Sequence, residues 1–160
     1  MAMSLSYSTW GMPDVPIVTA VAHCAGLGFD GLELTVCPGW TTEGTALTRE
    51  QRREIKQLYR DHGLALGGLC ANTELLDDDP AAHAANIDRF RAYLDLAAEL
   101  QDSDEPLSVS TTSGGNTADW DRVKQRLVDQ FGELAEFAGQ AGVIVSMEPH
   151  VAAALSLPDQ

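Results

Sequence analysis

Apolar and polar positions along the 160-residue chain switch repeatedly between a two-residue and a three-to-four-residue rhythm. Leu5 to Trp10 alternates, which predicts a first strand, and Gly11-Met12-Pro13-Asp14 breaks it. Pro16 suits the first turn of a helix running to about Gly26, with Ile17, Val21 and Ala25 at helical spacing. Phe29 to Val36 predicts a second strand, with Leu32, Leu34 and Val36 on one face and Glu33, Thr35 and Cys37 on the other. Thr48-Arg49-Glu50-Gln51 is a capping-box start for a helix striped by Ile55, Leu58 and Tyr59. Leu64 to Ala71 predicts a third strand interrupted by Gly67-Gly68, a pair that permits close approach of backbone or ligand.

Asp77-Asp78-Asp79-Pro80 opens a long helix to about Gln101, with Ile87, Phe90, Leu94 and Ala97 on its buried face. Its exit, Gln101 to Pro106, is acidic and lacks a terminating glycine. Leu107 to Thr112 predicts a fourth strand. Asp119 is expected to cap a helix whose stripe is Trp120, Val123, Leu127, Phe131, Leu134 and Ala138. Gly142 ends that helix, and a fifth strand runs through Val143 to His150. Ala152 to Gln160 is expected to supply at most the entry to a fifth helix.

Five strands alternating with four helices demand a parallel sheet with right-handed crossovers. Two architectures share that order, an open doubly wound sheet and part of a (β/α)8 barrel. Glu33 and Thr35, Ser108 and Ser110, and Ser146, Glu148 and His150 are polar on one face of three strands, while the opposite faces are aliphatic. A face that stays polar in successive strands suits a barrel interior better than a second helix-covered layer. The expected fold is therefore α/β, a single domain over 1–160 built as an incomplete TIM barrel, since a closed one takes about 250 residues.

Composition narrows the partners. Hydrophobic residues make up 44% of the chain, and the net charge is −14 with pI ≈ 4.4. Such a surface repels phosphate backbones and anionic membranes, so no nucleic acid and no membrane are expected as partners. Cys24, Cys37 and Cys70 are widely spaced without a CxxC, which predicts buried, reduced thiols. With neither a leader pattern nor a membrane-length apolar run, a cytoplasmic location is expected.

The candidate chemistry gathers at strand ends. Gly142-Val143-Ile144-Val145-Ser146-Met147-Glu148-Pro149-His150 closes a β-branched run on a carboxylate and an imidazole, at the end of a parallel strand where ligands bind. Glu148 reads either as a metal ligand or as a solvated strand-end carboxylate. His150 reads as a substrate contact or a satisfied rim residue. Glu33 reads as a substrate-facing or a structural carboxylate. Trp10 and Trp40 follow the first two strands, where an aromatic wall suits a sugar and equally suits packing. His23, His62 and His83 fall on helices and receive no chemistry. Ser113-Gly114-Gly115-Asn116 lacks both the GK[ST] and the GxGxxG of phosphate-binding loops.

Gly28-Phe29-Asp30-Gly31-Leu32-Glu33-Leu34 resembles the second strand of the sugar phosphate isomerase/epimerase family, the xylose-isomerase-like TIM barrels, and Gly142 to His150 resembles that family's fifth strand. The resemblance extends over the N-terminal part of the family's barrel. It implies metal-assisted aldose-ketose isomerisation or epimerisation of a small sugar or polyol, with a divalent ion (Mn, Mg, Co or Zn). By position it gives Glu148 the role of metal ligand and catalytic carboxylate, and makes Glu33, His150 and Trp10 candidate substrate contacts. The family's later ligands, an aspartate, a histidine and a second glutamate, have no counterpart in the sequence. Little or no activity is therefore expected of this chain alone. The alternatives are a non-catalytic half-barrel that self-associates as a homo-oligomer through its exposed edges, an inositol-type dehydratase and an endonuclease IV-like hydrolase. The net charge opposes the last.

Overall fold

A computed structural model describes residues 3–157 and residue 160. Among these, five strands and four α-helices alternate: β1 (Ser6–Ser8), α1 (Ile17–Gly26), β2 (Gly31–Thr35), α2 (Arg49–His62), β3 (Ala65–Cys70), α3 (Pro80–Leu100), β4 (Ser108–Thr111), α4 (Trp120–Ala141) and β5 (Ile144–Met147). Every neighbouring pair is parallel, and the strands lie side by side in sequence order. A doubly wound sheet reverses direction at a switch point. This one does not, so right-handed crossovers place all four helices on one side of an open barrel arc. No helix among the described residues is long and apolar enough to cross a membrane.

Leu34, Leu69 and Val109 are lateral partners on β2, β3 and β4, each fully buried. They share one core with Val21 of α1, Tyr59 of α2, Phe90, Tyr93 and Leu94 of α3, and Leu134 of α4. The other face carries the row Thr35, Cys70, Ser110 and Ser146, again lateral partners. The polar face expected for a barrel interior is thus continuous across four strands.

Helix ends follow the residues that flank them. Thr48 and Gln51 cap α2 reciprocally, the Thr48 hydroxyl accepting from the Gln51 N–H (3.2 Å) and the Gln51 amide oxygen from the Thr48 N–H (2.9 Å). Asp79 caps α3 by accepting from the N–H groups of Ala81 and Ala82 at 3.0 and 2.8 Å. The exit of α3 needs no glycine because α2 supplies a cation. Lys56 Nζ donates to the Glu99 and Gln101 carbonyls at 3.3 and 2.6 Å, where the helix dipole is negative. The acidic residues beyond pair with the same helix, Asp102 with Arg60.

Three expectations need correction. Asp119 stands at the N-cap of α4 without a side-chain cap bond; Asn116 instead caps a 3-10 turn over Thr117–Asp119, and Asp119 pairs with Arg122. The first strand stops at Ser8, and Thr9–Gly11 forms a 3-10 turn, because the Ser8 hydroxyl takes the Trp10 N–H out of the ladder (3.2 Å). The segment after His150 forms turns rather than a helix entry; Ala154 N donates to the Gly114 carbonyl (2.9 Å) and Leu155 N to Ser113 Oγ (3.0 Å). Part of that reading, Pro158 and Asp159, lies outside the described residues.

The double glycine of β3 is a bulge. Leu32 pairs with Leu66 and Leu34 with Leu69, so Gly67 and Gly68 together face the single residue Glu33. Leu66 and Leu69 are three apart and would fall on opposite faces of a regular strand. The extra residue restores the phase and returns Leu69 to the core.

Candidate active site

The polar face leads to the C-terminal ends of the strands, and there the candidate residues separate into two groups. Glu33 and Trp10 belong to the first. The Ser8 hydroxyl donates to Glu33 Oε2 at 2.5 Å and accepts from the Trp10 backbone, so one serine ties both residues to the top of β1. Serine falls there because β1 alternates Ser6, Tyr7, Ser8, which directs both hydroxyls to one face. The bulge sets Gly68 beside the carboxylate, where a Cβ would lie at an ordinary contact distance of 4.0 Å from Glu33 Oε1.

The indoles of Trp10 and Trp40 stack, with ring centroids 4.8 Å apart and planes 24° from parallel. Trp40 Nε1 donates to the Thr9 carbonyl (3.3 Å), which holds the β2–α2 loop over the top of β1. Trp10 remains 47% exposed. The pair is both packed and open on one side, the condition an aromatic wall requires.

Glu148 and His150 form the second group, at the other edge of the sheet. The Glu148 N–H donates to the Thr111 carbonyl (2.8 Å), which extends the β4–β5 ladder one residue past Met147. Its carboxylate is exposed and makes no hydrogen bond or ion pair among the described residues. His150 lies in the following turn, with Nδ1 3.0 Å from the Val151 carbonyl, so strand alternation no longer sets its direction. It too is exposed.

The two groups do not meet. Glu33 lies two residues below the row of Thr35, Cys70, Ser110 and Ser146, and Glu148 lies two above it, an offset of about 13 Å along the strands. Three strand spacings, about 14 Å around the sheet, separate them laterally. No group of three His, Cys, Asp or Glu side chains among the described residues can hold a metal ion. Glu148 supplies one or two of the roughly six oxygen positions that Mg²⁺ or Mn²⁺ requires. The donor set present therefore does not fit a complete divalent-metal site.

Sequence reasoning missed Ser8, although its alternation with Tyr7 was visible. It passed over the approach of Cys37 to the backbone of Cys70 as well, which lies across the β2–β3 pairing and far away in sequence. The Ser113–Asn116 loop owes its glycines to packing: a Cβ on Gly114 would lie 3.0 Å from Glu74 Cα, and one on Gly115 3.2 Å from Ala154 Cβ, both at positive φ.

Solved structures share this fold. The 3-keto-D-glucoside 4-epimerase of E. coli superposes with a TM-score of 0.73 at 16% identity, covering 95% of this chain and 58% of that protein. A xylose isomerase-like TIM barrel protein from Mycobacterium smegmatis, solved in complex with magnesium, gives 0.70 at 17% identity, over 98% of this chain and 58% of that one. A D-tagatose 3-epimerase-like protein gives 0.61 at 14% identity, over 94% and 55%. The chain thus spans between half and three-fifths of the length of these structures. No curated protein matches it. The family model for xylose isomerase-like TIM barrels matches residues 21–156, and the chain belongs to that family.

Proposed function

We propose that this chain carries the N-terminal part of a sugar isomerase or epimerase site, in which the strand-end mouth receives a small sugar or polyol. The observation that carries the reading is the Glu33–Ser8–Trp10 linkage under the Trp10–Trp40 stack. It offers a hydrogen-bonding carboxylate beside an aromatic face, the pairing that sugar hydroxyls and C–H faces select. The epimerases among the structural relatives support the reaction class, and the magnesium complex supports a divalent ion.

In that class a general base moves the proton on the carbon beside a carbonyl, and positive charge nearby stabilises the developing oxyanion. Glu148, at the end of β5, is the carboxylate proposed to bind the ion and to face the substrate, with His150 beside it. A lone strand-end carboxylate does not complete that machinery, so the chain by itself is proposed to bind sugar and turn it over weakly or not at all. Titrating a ketose against tryptophan fluorescence tests the binding. A saturable change that Trp10→Ala removes is expected, and a titration without saturation refutes the reading.

The β1 and β5 edges favour a second reading, a non-catalytic half-barrel that self-associates. Leu5 on the approach to β1 is 60% exposed and Ile144 on β5 49%, and unpaired strand edges seek partners. Sedimentation velocity at micromolar concentration decides it: a monomer excludes the reading.

A further inference from the structure

Two of the three cysteines meet on the polar face, although nothing in their spacing brings them together. Cys70 is the lateral partner of Thr35, and Cys37 stands two residues beyond Thr35, so both side chains belong to the face that carries Glu33. Cys37 Sγ lies 3.6 Å from the Cys70 carbonyl and 3.8 Å from that of Asn72, within hydrogen-bonding distance of the backbone on either side of Ala71. Cys24, on α1, belongs to the helix-side core.

We propose that Cys37 and Cys70 form an oxidisable pair, closed to a disulfide by a small peroxide, that staples β2 to β3 at the candidate sugar site. The chemistry balances with hydrogen peroxide as the oxidant. The Cys37 thiolate attacks one peroxide oxygen, the O–O bond breaks, and protonation releases water and leaves a sulfenic acid on Cys37. Cys70 sulfur then attacks the Cys37 sulfur, the S–O bond breaks, and the Cys70 proton leaves with the hydroxyl as a second water. Two thiols lose two hydrogens and two electrons, and the peroxide is reduced to two waters.

The roles are set by surroundings. The neighbouring Cys70 side chain holds the Cys37 thiol below the usual thiol range, against the opposing effect of burial, whereas Cys70 is pushed well above it by the neighbouring Cys37 and by burial. The thiolate is the nucleophile, so Cys37 reacts first. Ser110 and Ser146, in the same row, are half-buried, so solvent reaches this face beside the two thiols, which are themselves 4% and 5% exposed. Cys37 lies past the end of β2, in a loop that contains Gly39 at φ 89°, and this loop can take up the shift that closing the S–S bond demands.

The test treats the intact protein with excess hydrogen peroxide under non-reducing conditions, then counts thiols after denaturation and maps peptides by mass. The expected result is a fall from three free thiols to one, loss of two hydrogens in the intact mass, a Cys37–Cys70 crosslinked peptide, and full reversal by dithiothreitol. Cys70→Ser is expected to halt oxidation at the sulfenic acid of Cys37, which a dimedone probe traps. An unchanged thiol count overturns the proposal, and so does a crosslink that includes Cys24 or joins two chains.

Discussion

Replacing Gly68 by alanine tests the β3 bulge, on which the core phase of the strand depends. Gly68 has φ 149°, a conformation that side chains other than glycine's rarely adopt, and its new Cβ would lie 3.1 Å from the Ser108 carbonyl oxygen on the adjacent strand. The backbone conformation alone costs about 1–3 kcal/mol. Crowding a carbonyl fixed in the β3–β4 ladder adds to this, for an expected loss of about 3 kcal/mol. Gly67 is the internal control. It has an ordinary negative-φ backbone, and its nearest neighbour would be the Ser6 hydroxyl at 3.4 Å. Gly67→Ala also restricts the unfolded chain, so it is expected to stay within about 1 kcal/mol of the parent protein. Urea unfolding followed by circular dichroism reads the difference. With a slope of about 2 kcal/mol per molar, Gly68→Ala shifts the midpoint down by about 1.5 M at unchanged slope. Equal losses at the two glycines, or no loss at Gly68, refute the bulge as the element that sets the phase of β3.

Two further predictions address helix ends and charge. Asp79→Ala removes the acceptor for the Ala81 and Ala82 N–H groups and is expected to cost about 1 kcal/mol in the same unfolding assay. The Arg60 hydrogen bond holds Asp102 below the usual carboxylate range. A carboxylate whose folded pKa is depressed adds stability above its unfolded pKa and loses it as pH falls through the folded value. The stability difference between the parent and Asp102→Asn is therefore expected to be present at neutral pH, to vanish in strong acid, and to shrink in high salt because the pair is exposed.

The elements and their order were legible because the signals were local and agreed with one another. The capping box at Thr48, the glycines at Gly63 and Gly142 and the Pro80 start each mark a boundary within a residue or two. The barrel was legible as well, from polar positions that recur on one strand face. What stayed hidden depends on register between strands. Gly67-Gly68 reads as a weak spot until Leu66 and Leu69 are seen facing Leu32 and Leu34. The lysine that replaces a glycine at the end of α3 comes from a helix more than forty residues upstream. Glu33 and Glu148 both fall on the polar strand face in sequence, and only the sheet order shows that they stand three strands apart.

The role of Glu148 is tested most directly by titrating Mn²⁺ into the protein and into Glu148→Gln while following free manganese by electron paramagnetic resonance, with ketose turnover assayed in the same samples. One strand-end carboxylate predicts weak manganese binding that the substitution removes, and no turnover above buffer. Binding that survives in Glu148→Gln would contradict the assignment of the ligand. Metal-dependent turnover that Glu148→Gln abolishes would contradict the claim that this chain alone holds an incomplete site.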